Sequence, residues 1–135
     1  KPGTELWMGD HVEFWFNVNK NKTDYQIGIS PSGVENAPDN VYIWYPVDFS
    51  PAKRKELAAL VKSRSIRLKD GYSMECIIPA EVLGLEKFSK ELYIKMLFEA
   101  GDMDSSENPC KTMLSIAPER SRGKAFTYSE LKLVE

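Results

Sequence analysis

The segment from Asp10 to Asn19 alternates between apolar and other side chains. The apolar positions are Val12, Phe14, Phe16 and Val18. The positions between them are His11, Glu13, Trp15 and Asn17. A period of two predicts a β-strand with one face on a hydrophobic core. Trp15 then lies on the face opposite that core, where either another part of the protein or a ligand covers it.

The segment from Tyr25 to Ser30 alternates again, after a turn rich in Asn, Asp and Lys. The two segments predict a β-hairpin in which Ile27 and Ile29 face the same core as the first strand. Gly28 falls on the other face. A glycine inside a strand indicates a bulge or a close approach by another group.

The rest of the chain reads as further short strands with turn signals between them. Ser50 and Pro51 are typical of a helix N-cap and first helical residue, and they precede a short helical pattern. Strands are predicted at residues 41–45, in a hairpin over 64–79, and at 91–100, 112–116 and 128–135. This pattern predicts a single all-β domain over residues 1–135. We expect an antiparallel, jelly-roll-like β-sandwich with one or two short helices.

Composition narrows the choice of partners. Eighteen basic and 20 acidic residues give a net charge of −2, which offers no overall attraction to nucleic acid or to an anionic membrane. No apolar run is long enough to span a bilayer. The two cysteines, Cys76 and Cys110, match no metal-binding spacing, and we expect buried free thiols rather than a disulfide.

The polar side of the first hairpin has the chemistry of a sugar-binding surface. Aromatic rings stack on the C–H faces of sugars, and carboxylates and amides bind the hydroxyl groups. The candidate ligand-binding residues on this face are Glu13, Trp15, Asn17 and Gln26. Tyr42 and Trp44 either extend this surface or belong to the core.

Other chemistry has weaker support. Asp102 and Asp104 lie in an acidic loop whose oxygens are suited to Ca²⁺, but a solvated loop without a metal ion is the default interpretation. His11 is the only histidine, so a nucleophilic triad has a single candidate base. Glu13 and Glu75 are conceivable as a glycosidase pair, but both have structural explanations. We therefore expect no enzymatic activity and no cofactor beyond that candidate Ca²⁺ ion.

Several stretches together resemble a known family. Trp7 to Glu13 reads Trp-Met-Gly-Asp-His-Val-Glu and leads into the alternating strand, and Gly71 to Pro79 reads Gly-Tyr-x-x-Glu-x-x-Ile-Pro. Ile94 to Asp104 is a strand that ends in an acidic loop, and Leu131 to Leu133 is a final Leu-x-Leu. Their order and spacing are similar to the family 9 carbohydrate-binding modules and their wider superfamily of β-sandwiches.

The resemblance implies roles for particular residues. Trp7 matches a tryptophan that forms one wall of the sugar site, and Glu13 matches a carboxylate that accepts sugar hydroxyls. Gly28 stands where members of the family often present an arginine. The second tryptophan of the family's site has no counterpart within residues 119–128. The only substitutes there are Arg120, Arg122, Phe126 and Tyr128, and we include Arg122 among the ligand-binding residues.

The resemblance also implies a non-catalytic, secreted, periplasmic or cell-surface module, attached to or packed on another domain of a polysaccharide-degrading protein. Family members begin with one or two further strands, so either residues absent from this sequence complete the sheet, or this copy is shortened and lacks its first strands. Two alternatives remain open. One is an accessory domain that only contacts a neighbouring domain. The other is a haem-binding electron-transfer domain, with axial ligands drawn from His11, Met74, Lys95 and Met96.

Overall fold

The computed structural model describes residues 9–20, 23–32, 38–102, 112–117 and 124–132. Eight strands are described: β1 (His11–Val18), β2 (Asp24–Ser30), β3 (Asn40–Tyr45), β4 (Lys62–Leu68), β5 (Gly71–Ile77), β6 (Ile94–Asp102), β7 (Thr112–Ser115) and β8 (Ser129–Leu131). One α-helix, α1 (Pro51–Leu60), lies between β3 and β4. Short 3₁₀ turns occupy Ala80–Leu83 and Ala125–Thr127. The described part of the chain is therefore mostly antiparallel β-structure, as the alternation predicts.

The strands form two antiparallel sheets. The large sheet has the order β3-β2-β1-β6-β7, and β8 pairs with the start of β6. Strands β4 and β5 form a separate hairpin. In the large sheet Glu13 lies opposite Gly28 on one side and opposite Glu99 on the other. This register places β1 at the centre of the sheet.

The core face of the large sheet is the side that carries Val12, Phe14, Phe16 and Val18. Ile27, Ile29, Ile43 and Ile94 join these residues in one hydrophobic cluster. The cluster continues into α1 through Leu57, and into β5 through the half-buried Met74 and Cys76. The predicted orientation of the first hairpin is therefore confirmed.

Local sequence accounts for the start of α1. The Ser50 hydroxyl accepts a hydrogen bond from the Lys53 backbone N–H at 3.1 Å, and Pro51 follows as the first helical residue. A serine N-cap satisfies one of the N–H groups that lack a partner in the first turn. Leu57 is the buried residue of this helix and anchors it on the core face.

Asp39 attaches the small hairpin to the rest of the domain. Its carboxylate accepts hydrogen bonds from the hydroxyls of Ser63 and Ser65 on β4, at 2.6 and 2.5 Å. It also accepts the backbone N–H of Ser32, at the end of β2. Three hydrogen-bond donors offset the free energy that the buried carboxylate loses when it leaves water. The sequence gives no direct signal for this contact, because the partners lie far apart along the chain.

A cleft remains between the hairpin and the core face. Its volume is about 310 Å³, and its lining is Val12, Phe14, Tyr72, Met74, Cys76, Phe98 and Ala100. Cys76 is a free, half-buried thiol whose pKa is raised by burial. Cys110 lies outside the described residues. Within the described ranges, no helix is both long enough and apolar enough to cross a bilayer.

Candidate functional site

The polar face of the large sheet is the side that carries His11, Glu13, Trp15 and Asn17. The sequence predicts a core on the opposite face of β1 and leaves open what covers Trp15. All four side chains are buried, and Trp15 is only 3% exposed. Trp15 packs with Leu97, Ala117 and Tyr128 in a second hydrophobic cluster. Another part of the protein therefore covers Trp15.

Segments near the C-terminal end provide this cover. Ala117 follows β7, and Tyr128 follows the 3₁₀ turn before β8. Both are buried against the polar face. As predicted from the alternation, Trp15 does not join the cluster of Val12 and Phe16.

Glu13 connects the predicted binding residues. Its Oε2 atom accepts a hydrogen bond from the Trp15 indole Nε1–H at 3.2 Å and one from the Gln26 amide Nε2–H at 3.1 Å. All three residues are buried. A buried carboxylate with fixed donors holds both the indole and the amide in one orientation. The structure thus brings three of the predicted residues into direct contact.

His11 and Glu99 extend this cluster along β1 and β6. The His11 Nδ1 atom lies 2.6 Å from the Gly9 carbonyl oxygen, so Nδ1 carries the donated proton. Nε2 lies 3.4 Å from Glu13 Oε1. The imidazole occupies the space above Gly101, where a Cβ would overlap the ring. Glu99 is fully buried directly across from Glu13. The polar face therefore has two carboxylates on adjacent strands, with an imidazole beside the first.

A second hydrogen-bonded group lies at the other end of β1. Asn17 donates to Asp24 Oδ1 at 2.8 Å, and the Tyr128 hydroxyl donates to Asp24 Oδ2 at 3.0 Å. All three residues are buried. Asn17 and Asp24 are directly opposed in the β1–β2 ladder, whereas Tyr128 reaches them from the C-terminal region. This contact ties the cover of the polar face to its first hairpin.

Two half-buried aromatic residues of the polar face are on β3. The Tyr42 and Trp44 rings have centroids 4.8 Å apart and planes at 60°. Gly28 pairs with Tyr42, and a Cβ on Gly28 would overlap the six-membered ring of Trp44. Neither ring belongs to either cluster formed by the described residues. We call Tyr42 and Trp44 the aromatic corner. The close approach predicted at Gly28 is confirmed.

Replacing Gly28 with alanine should displace the Trp44 ring. The added methyl would overlap ring atoms, and overpacking of this kind costs about 1–3 kcal/mol. We expect a changed near-UV circular dichroism spectrum and a lower urea midpoint. Ser73→Ala is the control, because Ser73 is an exposed strand residue on β5. An unchanged near-UV spectrum in Gly28→Ala would contradict the placement of Trp44.

Other predicted residues lie outside the described part of the chain, or only their backbone is described. Trp7, Arg122 and Asp104 are outside it, and only the backbone of Asp102 is described. Among the residues that are described, no group of three or more potential metal ligands is found. The proposed Ca²⁺ site therefore stays a prediction.

The structure separates two other sets of candidates. Glu13 is on the polar face, whereas Glu75 is exposed on the hairpin that covers the core face, so the two do not form a glycosidase pair. His11 lies opposite Gly101, at the far end of β6 from Lys95. At the rise per residue of a β-strand, His11 and Lys95 are about 20 Å apart. Met74 packs on the core face, opposite His11. His11 is therefore separated from Lys95 and from Met74, whereas Met74 and Met96 both pack on the core face.

Sequence reasoning missed Asp24 and Glu99 as members of the polar clusters. The sequence could have indicated Asp24, because a hairpin turn after β1 places it near Asn17. No feature of the sequence indicated Glu99, since β1 and β6 are separated by some 80 residues of chain and their register depends on the whole sheet. Tyr128 was considered only as a substitute ring, and the structure gives it a hydrogen bond to a buried carboxylate.

Comparisons with known proteins give no match, so a functional assignment depends on the geometry described above. No protein-family model matches the chain, and neither the curated proteins nor the solved structures yield a match.

Proposed function

We propose that this chain is a non-catalytic carbohydrate-binding module of an exported protein, similar to the family 9 modules. The observation that carries the proposal is the aromatic corner beside the Glu13–Gln26 cluster. For the fold, we propose a β-sandwich in which the β4–β5 hairpin is the second sheet. The packing of Met74 and Cys76 on the core face supports that arrangement.

In this proposal the aromatic corner supplies the apolar stacking surface that sugar recognition requires. Two rings at 60° offer two apolar planes to the C–H groups of a pyranose, and the Tyr42 hydroxyl adds a polar group. Tyr42 and Trp44 are both half-buried, unlike Trp15. In this proposal the corner is therefore the stacking surface among the described residues.

The buried clusters act in this proposal as positioning groups. Glu13 and Gln26 lie on the two strands next to the corner, and Gly28 separates Glu13 from Tyr42 in the same row of the sheet. A fixed hydrogen-bond network beneath a site reduces the loss of conformational freedom on binding. Trp7 and Arg122 remain proposed ligand contacts on the basis of the family resemblance.

The test is titration of the protein with cellobiose, xylobiose, maltose and their longer oligomers, monitored by tryptophan fluorescence and calorimetry. We expect saturable binding of at least one sugar. Trp44→Ala should weaken it by about 10- to 100-fold, because the ring loses its stacked apolar area. Phe88→Ala is the control, since Phe88 is an exposed aromatic residue outside the corner.

Two results would contradict the proposal. One is the absence of binding to every sugar in the panel by the folded parent protein. The other is binding that Trp44→Ala and Phe88→Ala alter equally, which would remove the corner from the site. Circular dichroism of each variant separates loss of binding from loss of structure.

A second candidate is an accessory domain that packs against a neighbouring domain. It is favoured by Leu114, which is 70% exposed and pairs with Ala100 at the lining of the apolar cleft. An exposed leucine beside an open apolar cleft is the kind of surface that a second domain covers. This candidate predicts no response in the sugar titration.

A further inference from the structure

Strand β3 places three residues of the polar face in one line, which we call the edge row: Asn40, Tyr42 and Trp44. They are two residues apart, and side chains with this spacing lie on one face of a strand. The opposite face of β3 carries Ile43, which belongs to the hydrophobic core. Among the described strands, β3 is the end of the large sheet and pairs only with β2. The edge row therefore lies along the margin of the sheet.

The polar atoms of the edge row are open to a ligand. Asn40 is exposed, and Tyr42 and Trp44 are half-buried. Within the described ranges, the Asn40 amide, the Tyr42 hydroxyl and the Trp44 indole N–H make no hydrogen bond to the protein. The Trp15 indole, by contrast, donates to the buried Glu13. The edge row therefore offers an amide, a hydroxyl and an indole N–H to the hydroxyl groups of a sugar.

The two rings of the aromatic corner are too close together to hold a sugar between them. Their centroids are 4.8 Å apart. A sugar clamped between two rings needs about 3.5–4 Å of separation from each of them. Only the outer faces of Tyr42 and Trp44 are therefore available, and a ligand lies across the corner instead of entering a slot. A surface of this kind accepts the interior of a chain as readily as its end.

The angle between the rings selects the shape of the ligand. Their planes meet at 60°, so a flat object cannot lie against both. In a ribbon-like chain such as cellulose, neighbouring sugar rings are parallel, and such a chain stacks on only one of the two side chains. A chain with threefold helical symmetry turns each sugar by a third of a turn. Its neighbouring sugar planes then meet at the same angle as the Tyr42 and Trp44 rings, and β-1,4-linked xylan adopts this form in water.

We propose that the edge row binds the interior of a single, helically twisted glycan chain that runs along β3. The inference rests on the proposed function and names its ligand class. Two successive sugars stack on Trp44 and Tyr42, and the Asn40 amide binds hydroxyl groups of the third. Residues two apart on a strand are separated by about 7 Å, so Asn40 lies beyond a disaccharide that is stacked on both rings.

The experiment is calorimetric titration of the folded protein with xylohexaose, xylobiose and cellohexaose. We expect xylohexaose to bind at least about tenfold more tightly than cellohexaose, because only the twisted chain covers both rings. Trp44→Ala and Tyr42→Ala should each weaken xylohexaose binding by about tenfold or more. Phe88→Ala, at an exposed ring outside the corner, should leave it unchanged. In cosedimentation with crystalline cellulose, the parent protein should stay in the supernatant.

Asn40→Ala tests the length of the edge row. It should weaken xylohexaose binding by about fivefold, the effect of one lost hydrogen bond, and leave xylobiose binding unchanged. Ser73→Ala is the control, because it removes an exposed polar side chain from β5. Circular dichroism of each variant separates loss of binding from loss of structure.

Three outcomes would overturn this inference while sugar binding itself stands. The first is binding of cellohexaose as tight as that of xylohexaose, or retention on crystalline cellulose. The second is binding of xylobiose as tight as that of xylohexaose, which would confine the site to the two rings. The third is Asn40→Ala that binds xylohexaose as the parent does, or that loses affinity for xylobiose to the same extent. Absence of binding to every sugar contradicts the proposed function and, with it, this inference.

Discussion

Glu13→Ala should destabilise the protein by about 3–5 kcal/mol, because removing one member of a buried polar cluster leaves its partners desolvated. The change takes an acceptor from the Trp15 indole and from the Gln26 amide. It also takes the carboxylate from beside the His11 ring. Urea unfolding, followed by far-UV circular dichroism, measures the loss as a lower midpoint.

Two controls accompany this variant. Glu13→Gln keeps the size of the side chain and one acceptor oxygen, so a smaller loss is expected. Glu75→Ala removes an exposed carboxylate from β5 and should change stability by less than about 0.5 kcal/mol. If Glu13→Ala were no less stable than Glu75→Ala, the carboxylate would be solvated and the cluster around it would not exist as described.

Leu97→Ala should cost about 2–5 kcal/mol, the range for a buried leucine whose removal leaves a cavity. Leu97 is fully buried on the polar face of β6, opposite Trp15. A loss of this size shows that the polar face holds a second core, because the same substitution on a solvated face has little effect. The measurement is again the free energy of unfolding in urea.

The neighbouring strand offers a matched control for this substitution. Leu114 on β7 is 70% exposed, and Leu114→Ala should alter stability by less than about 0.5 kcal/mol. Similar losses in the two variants would contradict the assignment of Leu97 to a core. The tryptophan emission of Leu97→Ala should also shift to longer wavelength, because Trp15 packs in the same cluster.

A covered polar face changes where a ligand can bind. Trp15 and Glu13 have the residue types of a sugar site, yet Trp15 is packed against Ala117 and Tyr128, and Glu13 is buried beside it. The aromatic corner on β3 belongs to the same face and is half-buried rather than covered. The proposed site therefore moves along the sheet by two strands, while Glu13 and Gln26 become its support.

The sequence by itself determined the local elements of this protein. Strict alternation specifies β1 and β2, because side chains on successive strand residues point to opposite faces. Ser50 and Pro51 specify the start of α1, and Lys69 and Asp70 form the two-residue turn between β4 and β5, before Gly71. Each of these depends on residues close together in the chain, so the signal is readable without the fold.

Only the tertiary structure decided what covers each face. Period-two alternation shows that Trp15 and Val12 lie on opposite faces, but burial depends on segments distant in sequence. Tyr128 reaches Asp24 from more than 100 residues away, and Glu99 meets Glu13 through the pairing of β1 with β6. A polar strand face and a second, hydrogen-bonded core have the same residue pattern, because buried polar groups are stable once their partners are supplied. Those partners come from segments that only the assembled sheet brings close together, so the local sequence does not predict them.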